Sequence, residues 1–174
     1  MNDARPAGKT LAAYWLALVV PAALLGGALV SQYLFGLPPC EMCWWQRYPH
    51  AAALVLGAAG LATRRDLLVR LAALAILVSG AIGGFHAGVE YGWWEGLTRC
   101  ATGSLAGGDP LEAIMNAPVI RCDVAPWSLF GISLAGWNFL ISGAAGLAIL
   151  ALLGRTPSRH STKLTGQPKP GMTA

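Results

Sequence analysis

The sequence predicts an all-α integral membrane protein, a bundle of four transmembrane helices with both termini cytoplasmic and a long outer loop between helices three and four. Three observations predict it. First, 55% of the 174 residues are hydrophobic and 11% are charged, with a mean hydropathy of +0.54; a soluble domain of this composition could not cover itself with polar surface. Second, four stretches approach the roughly 20 apolar residues that cross a bilayer, at about 11–35, 48–63, 67–88 and 129–153. Third, the charges sort by side. Arg5, Lys9, Arg64, Arg65, Arg70, Arg155, Arg159, Lys163 and Lys169 share one face, opposed only by Asp3 and Asp66, and an excess of Lys and Arg marks the cytoplasmic side.

The first stretch is too long for a signal-peptide core, and Ser31-Gln32-Tyr33 is no small-x-small cleavage site, so it reads as a retained helix with Pro21 as a tolerated kink. The second is short. At 1.5 Å per residue its length covers only about 23 Å of a core roughly 30 Å thick. Charge placement still makes it a span, because only a crossing puts Arg64, Arg65 and Arg70 with the basic tails. Outer loops then occupy 36–47 and 89–128, residues 1–154 form the membrane domain, and the Pro-, Gly- and Ser/Thr-rich tail 155–174 is expected to be disordered. Within the long loop, "GGDPLEAIM" reads as a short helix with Asp109 as N-cap and Pro110 at the first position, placing Leu111, Ile114 and Met115 on one face. That face lies either on the bilayer surface or on the loop itself. The net charge of +4 is a topological bias rather than a basic face on a folded domain, which argues against nucleic-acid binding.

All four cysteines fall on the outer side, in a setting that permits disulfides. They allow three pairings, of which Cys40 with Cys43 and Cys100 with Cys122 is the simplest. The second pair closes a loop of about 23 residues, worth about 3 to 3.5 kcal/mol in the chain-entropy model, so a structural staple accounts for it. Cys40 and Cys43 close too short a loop for that. Zinc is an alternative, with His50 or His86 completing a site, although four-ligand sites use two short-spaced pairs. Redox chemistry needs an accessible sulfur, a thiolate and a resolving thiol; Arg47, four residues after Cys43, would favour the thiolate, and it would equally serve as a headgroup anchor. No haem, flavin or iron–sulfur motif accompanies the pair. Electrons reaching it must therefore leave on another molecule, and a quinone from the bilayer suits a C-x-x-C at a helix end beside an arginine and aromatic rings.

The segments "PCEMCWWQR", "FHAGVEYGWWEG" and "RCDVAPWSLFGISLAGWN", on four spans with both ends inside, resemble the bacterial DsbB family of disulfide-generating membrane proteins. The resemblance covers the chain except its termini. It implies a bacterial inner-membrane protein with its cysteines on the periplasmic side. There it would reoxidise a DsbA-like, thioredoxin-fold dithiol carrier and pass the electrons to ubiquinone or menaquinone. By position, Cys100 would form the mixed disulfide with the carrier, Cys122 would be its partner, Cys40 would exchange with that pair, and Cys43 would face the quinone with Arg47. His86 and Trp127 match residues that the family places near the quinone; a wetted interfacial histidine and a belt tryptophan are the plainer readings. Glu90, one turn after His86, could pair with His86 or Arg99 and is assigned no role. The loop between Cys100 and Cys122 is compact for the family. The rival from another class is a non-enzymatic tetraspan adaptor whose outer loop is stapled by Cys100 and Cys122.

Overall fold

The computed structural model describes residues 8–97 and 120–154. Four helices carry them: α1 Gly8–Tyr33, α2 Glu41–Thr63, α3 Asp66–Glu90 and α4 Leu134–Gly154. A two-stranded hairpin, β1 Ser128–Leu129 and β2 Ile132–Ser133, precedes α4 with Ser128 opposite Ser133 and Leu129 opposite Ile132. Three helices are long and apolar enough to cross a membrane, Leu11–Tyr33, Asp66–Glu90 and Leu134–Gly154. The expected short helix at Asp109, Cys100 and the tail 155–174 lie outside the described residues.

The second helix starts at Glu41, earlier than the apolar run at 48 suggests. Pro38 and Pro39 hold the chain extended before it, and Cys40 caps it, its sulfur accepting the backbone N–H of Cys43 at 3.3 Å. Glu41 sits in the first turn, where the helix dipole favours an anion. Residues 41–47, expected in a loop, are thus the first two turns of α2. The fourth helix starts later than expected, at 134 and not 129, because 128–133 is a hairpin. Its two-residue turn, Phe130-Gly131, has φ of 53° and 76°, the double left-handed pattern of a type I′ turn.

The helices meet through small residues. A Cβ on Gly57 would stand 2.8 Å from the carbonyl oxygen of Ala17, joining α2 to α1, and one on Gly83 would stand 2.9 Å from that of Ala135, joining α3 to α4. Close backbone approach of this kind is how helices associate where lipid removes the hydrophobic drive. The core between them holds Ala13, Ala17, Ala53, Val69, Ile76 and Ile149, while Val19, Val55, Val78 and Leu147 are exposed, as a lipid-facing exterior requires. At the end away from the cysteines, Tyr14 Oη donates to Asp66 at 2.6 Å and ties α1 to the start of α3.

Candidate functional site: a dithiol between a cavity and a buried cysteine

Capping places Cys40 and Cys43 on one side of the first turn of α2, with their sulfurs 2.9 Å apart and the Cys40 thiol donating. That proton makes the two sulfurs unequal. The hydrogen bond to Cys43, then burial, pushes Cys40 up to about 12, and the same bond holds Cys43 below the usual thiol range. Arg47 pulls Cys43 in the same direction, as the smallest of the causes at work. Cys43 is therefore the natural thiolate, chiefly on account of Cys40; the sequence suggests Arg47 for that part.

The two sulfurs also face different surroundings. Cys40, 5% exposed, packs with Met42, Val89 and Cys122 in one buried cluster. Cys43 lines a cavity of about 240 Å³ whose walls include Ala23, Leu24 and Ala28 of α1, Leu134 and Ala135 of α4, and the polar Gln46 and Arg47. Arg47 is buried; its guanidinium donates to Gln32 Oε1 and to the Ala28 carbonyl at 3.1 Å, and lies 4.9 Å over the Trp44 ring. These bonds use two of five N–H groups and hold the fork beside the cavity rather than in solvent.

His86 is buried and reaches the dithiol, its Nε2 3.6 Å from Cys40 Sγ and 3.8 Å from Glu90 Oε1. Both His86 and Glu90 line the cavity. Trp127, 43% exposed, is not among the cavity-lining residues, where Pro126 and Trp137 stand instead. Arg121 and Asp123, flanking Cys122, form a two-point ion pair at 2.9 and 2.6 Å, which holds the Asp123 carboxyl below its usual range. Sequence reasoning missed Asn138 and Ser142 of α4 and Ser79 of α3, all buried beside Gln46. Their signal was available, since polar side chains in apolar spans face the bundle interior.

Cys40, Cys43 and His86 also have the donor types of a soft-metal site, with ligand atoms within 4.8 Å of one another. Two thiolates around one zinc, at Zn–S near 2.3 Å, would stand about 3.8 Å apart. The 2.9 Å separation here is that of a pair poised to bond to each other.

Fold and site together define a polytopic membrane protein with a redox-capable dithiol at one end of its helical bundle. The comparisons specify it further. The family model for "Disulfide bond formation protein DsbB" matches residues 10–153. A disulfide bond formation protein B of Verminephrobacter eiseniae is 33% identical over 145 residues, covering 76% of this chain and 80% of that protein. One of a Polaromonas species is 33% identical over 168 residues, covering 88% and 94%. One of Methylococcus capsulatus is 32% identical, covering 85% and 94%. No solved structure matches the chain. The chain belongs to the DsbB family, and its role is in disulfide bond formation.

Proposed function

We propose that this protein is a quinone-dependent protein-disulfide oxidoreductase of the bacterial inner membrane, with α2 as a fourth span and the cysteines on the periplasmic side. It reoxidises a thioredoxin-fold dithiol carrier. The observation that carries this reading is the division of the C-x-x-C between two clients: Cys40 packs with Cys122, and Cys43 lines an apolar cavity with Arg47.

In this mechanism the carrier's thiolate attacks the Cys100–Cys122 disulfide at Cys100 and expels the Cys122 thiolate; the carrier's second thiol then attacks the carrier sulfur of that mixed disulfide, which frees the carrier as a disulfide and leaves Cys100 and Cys122 reduced. The reduced second pair then attacks Cys40 Sγ. The Cys40–Cys43 bond breaks with its electron pair on Cys43, and the second pair re-forms its disulfide. A low-pKa thiol is the better leaving group, which suits the inequality of the two sulfurs. Re-forming Cys40–Cys43 gives up two electrons and two protons, which a quinone accepts to become a hydroquinone. The residues fit such an occupant: α1 and α4 offer apolar walls to a ring and its tail, Arg47 offers N–H donors to a carbonyl oxygen, and Cys43 stands at the wall. Closing the cavity to water would strengthen each of those donor contacts.

The test is purified protein in detergent, mixed with a reduced thioredoxin-like carrier and a soluble quinone analogue, with quinone absorbance and carrier thiols followed together. One quinone consumed per carrier dithiol, and none with Cys43→Ser, is the expected result. Carrier oxidation that persists in Cys43→Ser would sink the relay, and inertness of well-folded protein toward every carrier and quinone would favour the stapled adaptor.

A further inference from the structure

The buried polar groups between α2, α3 and α4 form one connected network whose hydrogen-bond directions are fixed by backbone carbonyls. Gln46 Nε2 lies 3.1 Å from the Met42 carbonyl oxygen, and Asn138 Nδ2 lies 3.1 Å from that of Ser79. A carbonyl oxygen only accepts, so both amide nitrogens are placed without reference to any unobserved hydrogen. Turning either amide over would set oxygen against oxygen. The two amides then agree with each other, Asn138 Nδ2 donating to Gln46 Oε1 at 2.9 Å. Ser79 Oγ, which donates to the Gln46 carbonyl at 2.8 Å, accepts from Asn138 Nδ2 at 3.1 Å, and Ser142 Oγ donates to Asn138 Oδ1 at 2.8 Å.

Two histidines attach to this network. Gln46 Nε2 meets His86 Nδ1 at 2.9 Å, so Nδ1 must be the bare acceptor and the proton of the neutral ring must sit on Nε2. That is the nitrogen facing Cys40 Sγ and Glu90 Oε1. His50 Nε2 meets Asn138 Oδ1 at 3.0 Å, and an amide oxygen only accepts, so His50 also carries its proton on Nε2. Its Nδ1 is then bare, and it is buried with no hydrogen-bond partner among the described residues. The other such side-chain atom is Glu90 Oε2, and both residues line the cavity. A buried acceptor left unpaired costs about 1 to 3 kcal/mol, which an occupant bearing a donor would relieve.

We propose that Gln46 and Asn138 are positioning residues that set two histidines to opposite tasks: His86 presents an N–H to the Cys40 sulfur, and His50 presents a lone pair to a hydroxyl in the cavity. His86 serves the sulfur side, where its Nε2–H donates a hydrogen bond to the Cys40 thiolate set free when the second pair leaves it, the ring keeping its proton throughout. His50 serves the cavity, where a hydroquinone hydroxyl supplies the missing donor. These tasks rest on the relay proposed above; the ring states do not.

The experiment is nitrogen NMR of ¹⁵N-histidine-labelled protein in micelles at neutral pH, with the dithiol reduced and neither quinone nor carrier present. The chain has three histidines, so His50→Phe and His86→Phe assign the signals. Expected are Nε2–H rings at both positions. Gln46→Glu, which replaces the donor to Nδ1 by an acceptor, should bring a proton to His86 Nδ1, and Asn138→Leu should release His50 into a mixture of tautomers. A proton on Nδ1 of either ring in the unsubstituted protein overturns the proposal with no need for a variant to fold. So does a His86 spectrum indifferent to Gln46→Glu. Gln46→Glu should also lower kcat on the order of 10-fold or more if His86 Nε2–H stabilises the Cys40 thiolate; an unchanged kcat removes that task. Because the spectra need no quinone, failure of the relay and failure of the tautomer assignment are separate results.

Discussion

At the scale of single residues the site is an argument about one proton. Cys40 donates to Cys43, so the pair loses its first proton at Cys43. Cys43 is held below the usual thiol range and Cys40 pushed up to about 12. As pH falls, Cys43 therefore remains a thiolate to lower values than an ordinary cysteine, whereas Cys40 stays a thiol well past neutrality. Iodoacetamide at neutral pH should modify Cys43 first, and mass spectrometry of the reduced protein checks it; preferential labelling of Cys40 would contradict the assignment. In Cys40→Ala the largest cause of the depression is gone, and the alkylation profile of Cys43 should move to higher pH. Arg47 makes a different contribution. Arg47→Lys keeps the charge but loses the planar fork that spans Gln32 and the Ala28 carbonyl. In the relay proposed above it should raise the KM for quinone while the alkylation rate of Cys43 changes little, since Arg47 is the weakest of the influences on that thiol. That Cys40, Cys43 and Arg47 stand at one end of one helix was legible in the spacing. The inequality of the sulfurs was not, because it comes from a cap geometry that brings a thiol hydrogen onto a neighbour.

At the scale of elements, two features decide where the site sits. The capped start of α2 puts the dithiol on a rigid turn, seven residues earlier than hydropathy suggests, since Met42, Gln46 and Arg47 are buried while reading as a polar loop. The second is the α3–α4 contact at Gly83, where an added Cβ would stand 2.9 Å from the Ala135 oxygen, 3.0 Å from Asn138 Nδ2 and 3.2 Å from Gln46 Oε1. Gly83→Ala should cost about 1 to 3 kcal/mol through overpacking. Gly26→Ala, where nothing lies within 4 Å of the new methyl, should be neutral or stabilising by up to about 1 kcal/mol from helix propensity. Thermal unfolding in detergent separates them, and equal melting temperatures would refute the close approach. The hairpin before α4 escaped hydropathy because Leu129, Phe130 and Ile132 extend the apolar run of the helix. Its turn geometry, not its polarity, delays the start of the helix to 134.

At the scale of the whole molecule, α1, α3 and α4 are each long and apolar enough to span. The 23-residue α2 would reach about 35 Å at 1.5 Å per residue, so the fourth crossing proposed above is open to a direct measurement. An impermeant maleimide applied to spheroplasts of a strain carrying the protein without its other cysteines should label Glu41→Cys and spare Arg64→Cys, which bracket α2; labelling of both would place the ends of α2 on one side. By itself, the sequence determined the helical bundle, the lipid-facing composition and the C-x-x-C pair at a helix end, because hydropathy, charge bias and cysteine spacing are properties of neighbours along the chain. Only the tertiary structure decided that Cys40 packs with Cys122 while Cys43 meets the cavity, and that Gln46, His86 and Asn138 share one network. Those partners are 40 to 92 residues apart, and the direction of a hydrogen bond exists only once helices distant in sequence have packed.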